Sequence, residues 1–193
     1  MTDEDSIYVL TFTAKLISDF SGDKRRQFLL TYYLCDETLQ IFELAVPNSG
    51  FRPGRFLQRQ RVKNSFTKKL LQPQELFVGT QIGVCGRIFE LIKAAPHSLC
   101  LMEAHADDFP ESNSKIIISN LKKACDAKGE NLRSLFQNKD PSNTGVVSVS
   151  DAEDIFNQFQ PDLSKHAVIT LTRTFERNNG TFDYSFLLNY LRI

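Results

Sequence analysis

The sequence has no tryptophan, only three histidines and two methionines, and no net charge: 23 Lys and Arg stand against 23 Asp and Glu in 193 residues. A balanced chain lacks the Lys and Arg excess that general nucleic-acid or membrane adhesion calls for. No run approaches the ~18 apolar residues of a membrane-spanning helix. The start, Met1-Thr2-Asp3-Glu4-Asp5, is acidic where a signal peptide is basic and then apolar. Cys35, Cys85, Cys100 and Cys125 lie far apart, with no Cys-x-x-Cys pair. That spacing favours reduced thiols in a cytoplasmic protein over a zinc site or a disulfide framework.

Catalysis finds little footing either. His97, His105 and His166 stand in no triad or metal spacing, with His97 read as a loop residue and His166 as an early helix position. Gly79, Gly83 and Gly86 lie in strand-like sequence with no Lys-Ser/Thr to follow, so no phosphate-cradling loop is expected. The expectation is a protein that is not an enzyme.

What is present is 41% apolar residues, including 16 Phe, arranged with two different periods. In Tyr8 to Leu16 the residues Tyr8, Leu10, Phe12, Ala14 and Leu16 alternate with Thr11, Thr13 and Lys15, which predicts a strand with one wet face. Phe28 to Leu34 and Leu39 to Val46 read as a hairpin joined through Cys35-Asp36-Glu37-Thr38, ended by Pro47-Asn48-Ser49-Gly50. Further strands are predicted at 77–85, 87–92 and 99–102. Many short strands in about a hundred residues imply a small barrel or sandwich.

From Asp107 onward the period becomes helical. Residues 107–114 form a polar, Pro-bearing linker with capping residues at its end. Ile117, Leu121, Ala124 and Cys125 predict a first helix stopped by Gly129. Leu132, Leu135 and Phe136 begin a second, and Ile155, Phe156 and Phe159 a third. Ser164 is placed to cap a helix carrying Val168, Leu171 and Phe175, and Leu187, Leu188 and Leu191 close the chain. The fold class is therefore α+β in two domains: 1–106 β, 107–114 linker and 115–193 all-α. Their charges differ little, 13 basic against 11 acidic in 1–106 and 10 against 12 in 107–193.

The helical half resembles a pair of EF-hands. A calcium loop places oxygen ligands at positions 1, 3, 5, 7, 9 and 12, with Gly at 6 for the sharp turn. With Gly145 at 6, Asp140 falls at 1, Ser142 at 3, Thr144 at 5, Val146 (through its carbonyl) at 7, Ser148 at 9 and Asp151 at 12. Val147 takes the apolar position 8 that pairs with the partner loop. Only Asp140 and Asp151 bring carboxylates, and Asp at position 12 is too short to chelate as Glu does. Such a set allows at most weak calcium, ~10⁻⁴–10⁻³ M, and a loop kept for its turn and β-pairing is the favoured reading. In the second hand Gly180, Phe182 and Asp183 mimic positions 6, 8 and 9, but Phe175 and Phe186 fall at 1 and 12 and Asn178 brings no charge. No cofactor is expected there, and such a pair more often serves as a docking module.

The β half carries a more distinctive succession. Phe28-Leu29-Leu30-Thr31-Tyr32-Tyr33-Leu34-Cys35-Asp36-Glu37-Thr38-Leu39-Gln40-Ile41-Phe42-Glu43 is followed by Pro47 to Leu57 and Arg59-Gln60-Arg61-Val62, then Phe77-Val78-Gly79 and Arg87-Ile88-Phe89-Glu90-Leu91. This resembles the DM-ten domain, a module of ciliary and flagellar axoneme proteins. With degenerate EF-hands behind it, the whole chain resembles the C-terminal end of the myoclonin-type family. Longer members carry three DM-ten domains, so the chain is a short paralogue or a fragment.

The resemblance implies a small pleckstrin-homology-like β domain followed by the EF-hand-like pair. It also implies a structural microtubule inner protein of the cytoskeleton, placed in the cilium or flagellum axoneme. Its partners there would be tubulin and other inner proteins of the doublet microtubule. One feature of the residues is compatible. Between Glu43 and Glu75 there are no acids but seven bases: Arg52, Arg55, Arg59, Arg61, Lys63, Lys68 and Lys69. An acidic polymer would be drawn to that stretch, while a solvated loop balanced by acids elsewhere is an equal reading. Two other functions compete. One is a calcium-responsive cytoskeletal adaptor switched at Asp140 to Asp151, the other a phosphoinositide reader using the basic stretch.

Overall fold

The computed structural model describes residues 8–128, 132–177 and 180–193, in two compact units, Met1–Phe109 and Pro110–Ile193. In the first, alternation of apolar and polar residues builds an antiparallel sheet. Its strands are β1 (Val9–Ile17), β2 (Phe28–Tyr33), β3 (Thr38–Glu43), β4 (Gly54–Gln60), β5 (Gln81–Val84) and β6 (Arg87–Ala94), in the spatial order β4-β3-β2-β1-β6-β5. Leu10, Phe12, Ala14 and Leu16 of β1 face the core, as the period of two predicts, whereas Tyr8 lies before the strand and is exposed.

The sheet is strongly curled. Phe28 of β2, Phe56 of β4 and Phe89 of β6 form a triangle of edge-to-face rings, the Phe56–Phe89 centroids only 5.6 Å apart. In a flat sheet four strand spacings would separate β4 from β6 by ~19 Å. The register irregularity between Thr13 and Ala14 in the β1–β6 pair, and two more along β3–β4, supply local bends of the kind that curl a sheet. The segment after β4 then lies on the free side of β5, with Ser65 N–H donating to Gly83 C=O at 2.7 Å.

Three sequence expectations are corrected in this unit. Residues 99–102 are not a strand but the middle of helix α1 (Pro96–Ala104). Pro96 suits a first helical position and Leu-Cys-Leu-Met-Glu-Ala contains no β-branched residue. His97 accordingly sits in the first turn of α1 rather than in a loop, and Ser98 Oγ accepts from Thr11 N–H at 2.8 Å, pinning α1 to β1. The strand expected over 77–85 is limited to Gln81–Val84, because Phe77 to Thr80 turn, with Gly79 at φ 95°. Gly54–Gln60 is also a strand, β4, within the basic stretch for which the sequence predicts no strand; its one adjacent apolar pair, Phe56-Leu57, conceals the alternation, and it lies at the sheet edge.

The second unit holds α2 (Ser114–Lys128), α3 (Leu132–Lys139), β7 (Val147–Ser148), α4 (Val149–Phe159), α5 (Lys165–Phe175), β8 (Thr181–Phe182) and α6 (Tyr184–Leu191). The expected linker 107–114 spans the division between the two units. Phe109 is buried at the end of the first unit, Pro110–Ser112 is a 3-10 turn, and Asn113 caps α2 by accepting from Ile116 N–H at 3.2 Å. Ser148, Ser164 and Asp183 cap α4, α5 and α6 in the same way. Gly129 and Asn178 lie outside the described residues. The core is aromatic: Phe136 stacks on Tyr184 (5.1 Å) and Phe182 (5.8 Å), and Phe156 meets both Phe136 and Phe182 edge-on.

Candidate functional site

The helical unit joins two helix–loop–helix segments through β7 and β8, in which Val147 pairs with Phe182, the two apolar positions 8. Gly145 makes the sharp turn at φ 80°, with Ser185 close enough (3.1 Å) to crowd any added Cβ. Loop geometry is therefore that of the EF-hand class. What the carboxylates do is different.

Asp140 is buried, and both its oxygens have donors within the protein. Oδ2 accepts from Gly145 N–H at 2.8 Å and from the Tyr184 hydroxyl at 2.9 Å, and Oδ1 accepts from the Thr144 hydroxyl at 3.1 Å. Burial pushes the Asp140 carboxyl upward, but the Thr144 and Gly145 amides and the two hydroxyls outweigh it and hold its pKa below the usual carboxylate range. Tyr184 is raised in turn, by burial and by the carboxylate that it serves. At the far end of the loop Asp151 receives the Lys139 ammonium on Oδ1 at 2.8 Å and the Ser148 hydroxyl on Oδ2 at 2.6 Å. Those two hydrogen bonds, with the Lys139 charge, lower the Asp151 pKa. Ser148 at position 9 is spent on the α4 cap, and Ser142 at position 3 is exposed.

All four carboxylate oxygens of the loop thus have a donor of their own, and an ammonium already neutralises position 12. A divalent cation would have to displace Lys139 and part Asp140 from Tyr184, with only hydroxyls and the Val146 carbonyl to complete its shell. The donor set does not fit calcium. In the second loop Phe175 is buried in the core and Asp183 caps α6 while accepting from Arg177 Nε at 2.9 Å, so neither is placed as a ligand.

The seven bases between Glu43 and Glu75 divide into two groups. Arg59 lies 2.7 Å from Asp36, donates to Thr38 Oγ1 at 2.8 Å and stacks 3.6 Å over the Tyr33 ring. Arg61 donates to the Asp36 carbonyl at 3.0 Å. Both fasten the β2–β3 turn. Arg52, Arg55, Lys63, Lys68 and Lys69 are exposed, and the last three belong to a small hairpin closed by a Lys63–Leu70 bridge. Its base is fixed by Asn64, buried, which donates to Glu75 at 2.9 Å and whose Oδ1 accepts from Phe66 N–H at 3.0 Å. Tyr32 donates to Leu71 C=O at 3.0 Å beside it; burial pushes the Tyr32 phenol up to about 12.

Sequence reasoning missed three structural residues here. Arg26 forks onto Glu43 with two 2.7 Å bonds, reaches Asp23 at 2.8 Å and lies 4.1 Å over Phe51. Their separation in sequence hides the cluster. Lys139, by contrast, stands next to Asp140, and its charge beside a loop short of ligands was a usable signal. Tyr184 was hidden, because it follows position 9 of the other loop.

A small curled β unit followed by a paired helix–loop–helix unit with loops short of carboxylate ligands defines a DM10 plus EF-hand-like protein. The family model of the DM10 domain matches residues 1–98, and the chain belongs to the DM10 domain family. It is 33% identical over 174 residues to the "EF-hand domain-containing family member C2" of Danio rerio, covering 86% of this chain and 23% of that protein. The Bos taurus protein of the same name is also 33% identical, over 86% of this chain and 24% of its own. The Homo sapiens "EF-hand domain-containing protein 1" is 28% identical over 163 residues, 82% of this chain and 24% of that one. The chain therefore spans about a quarter of the length of these relatives.

Proposed function

We propose that this chain is a non-enzymatic structural protein of the cytoskeleton. In this reading it binds tubulin inside ciliary or flagellar doublet microtubules, contacts neighbouring inner proteins and stabilises the axoneme. The observation that carries the reading is the pairing of a DM10 unit, matched over residues 1–98, with a helical unit whose loop carboxylates are committed to internal contacts. A part built this way acts through surfaces. The β unit is read as pleckstrin-homology-like, supported by its curled antiparallel strands and the helix that follows them. Modest contacts repeated along a lattice give avidity that one copy lacks.

The calcium-responsive alternative is disfavoured by the Lys139–Asp151 and Tyr184–Asp140 contacts, which hold the loop without a cation. Cosedimentation with tubulin polymerised in the presence of the chain, with and without calcium, tests the proposal. Calcium-independent pelleting is expected, and failure to pellet at low salt overturns it.

A further inference from the structure

The hairpin from Lys63 to Leu70 gathers exposed apolar and basic side chains on one ordered frame. Ser65, Phe66, Thr67, Lys68, Lys69 and Leu70 are all exposed, Phe66 at 54% and Leu70 at 39%. It is nevertheless not a floppy loop. Leu71 N–H donates to Val62 C=O at 2.9 Å, Asn64 N–H to Lys69 C=O at 2.9 Å, and Lys68 N–H to Asn64 C=O at 2.8 Å. Ser65 N–H is bonded to Gly83 of β5, and Val62 and Leu71 are buried beneath. The frame is thus tied to the sheet at its base while an aromatic ring and three ammonium groups stand in water. Phe66 and Leu70 stand together with the three ammonium groups on this one frame. Lys63, Lys68 and Lys69 have no acidic neighbour in sequence between Glu43 and Glu75, and no ion pair is found for them among the described residues.

We propose that this hairpin is a preformed basic–aromatic finger that docks on an acidic polypeptide surface, seating Phe66 in an apolar hollow between carboxylates paired with Lys63, Lys68 and Lys69. Rigid aromatic anchors ringed by charge are what interfaces use for affinity and steering, and a frame ordered beforehand avoids the entropy of fixing a loop on contact. A lipid surface fits less well. One ring and one leucine make only a small apolar wedge. The inference rests on the tubulin reading for the identity of the acidic partner, but not for the chemistry of the finger.

The test uses the full chain and three probes: polymerised tubulin, poly-L-glutamate, and vesicles of phosphatidylserine and phosphatidylcholine. Three proteins are compared in each: the unaltered chain, Lys63→Glu/Lys68→Glu/Lys69→Glu, and Phe66→Ser. A fourth, Lys24→Glu/Lys93→Glu/Lys122→Glu, makes the same net charge change elsewhere, and thermal melts confirm that all four fold. The triple hairpin variant is expected to lose about tenfold in affinity for tubulin and for poly-L-glutamate, and Phe66→Ser to lose severalfold on tubulin, while the control changes less than about twofold. Amide shifts on poly-L-glutamate titration should centre on residues 63–70. Binding to poly-L-glutamate through the hairpin without tubulin binding sinks the tubulin reading and keeps the finger. Tubulin binding that the hairpin variants leave intact, equal losses in the control, binding to neither polypeptide, or binding to vesicles alone each overturns the finger.

Discussion

The Lys139 ammonium meets the Asp151 carboxylate at 2.8 Å, so the residue just before the loop neutralises the loop's last acidic position. Together with the Tyr184 hydroxyl on Asp140 it holds a calcium-type loop in shape by contacts that the chain supplies itself. Calorimetric titration should accordingly give no heat of binding at submillimolar calcium. A dissociation constant tighter than ~10⁻⁴ M contradicts this account of the loop.

The Tyr184 contact also joins the two hands. Tyr184→Phe leaves the Phe136 stack in place but removes a donor from a buried carboxylate, and should cost about 1–2 kcal/mol in denaturant unfolding of the helical unit. Phe136→Ala, which removes a fully buried ring from the centre of the cluster, should cost about 3–5 kcal/mol. Equal effects for the two would mean that the hydroxyl matters as much as the buried ring, which contradicts this ranking.

In the β unit the guanidinium of Arg26 satisfies both Asp23 and Glu43 at a largely buried position and covers Phe51. Arg26→Ala strands two carboxylates and should destabilise that unit by about 3–5 kcal/mol. Arg26→Lys should recover only part of this, because a point charge cannot make the two-pronged bond to Glu43. Full recovery by Lys in a melting experiment would show that charge alone suffices.

Acid should weaken both units through their aspartates, opposed in the helical unit by Glu153, whose carboxyl burial raises. Asp23, Asp36, Asp140, Asp151 and Asp183 all have pKa values held below the ordinary one. A depressed folded-state pKa contributes stability that is fully present above the unfolded value, ~3.9, and is lost as pH falls through the folded value. Melting temperature should therefore fall as the pH is taken down from about 4. A melting temperature that rises there would contradict the carboxylate assignments.

Elements with one clear period were legible in the sequence. The β1 alternation, the β2–β3 hairpin, the Ser164 cap and the register that pairs Val147 with Phe182 all stand in the structure. Where the pattern was short or broken, other forces decided. Leu99 to Met102 reads as a strand until Pro96 is seen to start a helix, and Phe56-Leu57 conceals an edge strand whose bulges interrupt the alternation. Within the basic stretch, charge could be counted but not allocated. Only the fold shows Arg59 and Arg61 committed to the Asp36 turn while Lys63, Lys68 and Lys69 face solvent.

The central claim, a structural protein held within the doublet wall, is tested most directly by extracting isolated axonemes with increasing salt while following a tagged copy of the chain. At about 1 M salt the screening length falls to ~3 Å, so proteins held on the outer surface by charge are released. The account predicts that the chain stays with the doublets until the tubulin wall itself dissolves. Release at moderate salt, or absence from axonemes altogether, would contradict it.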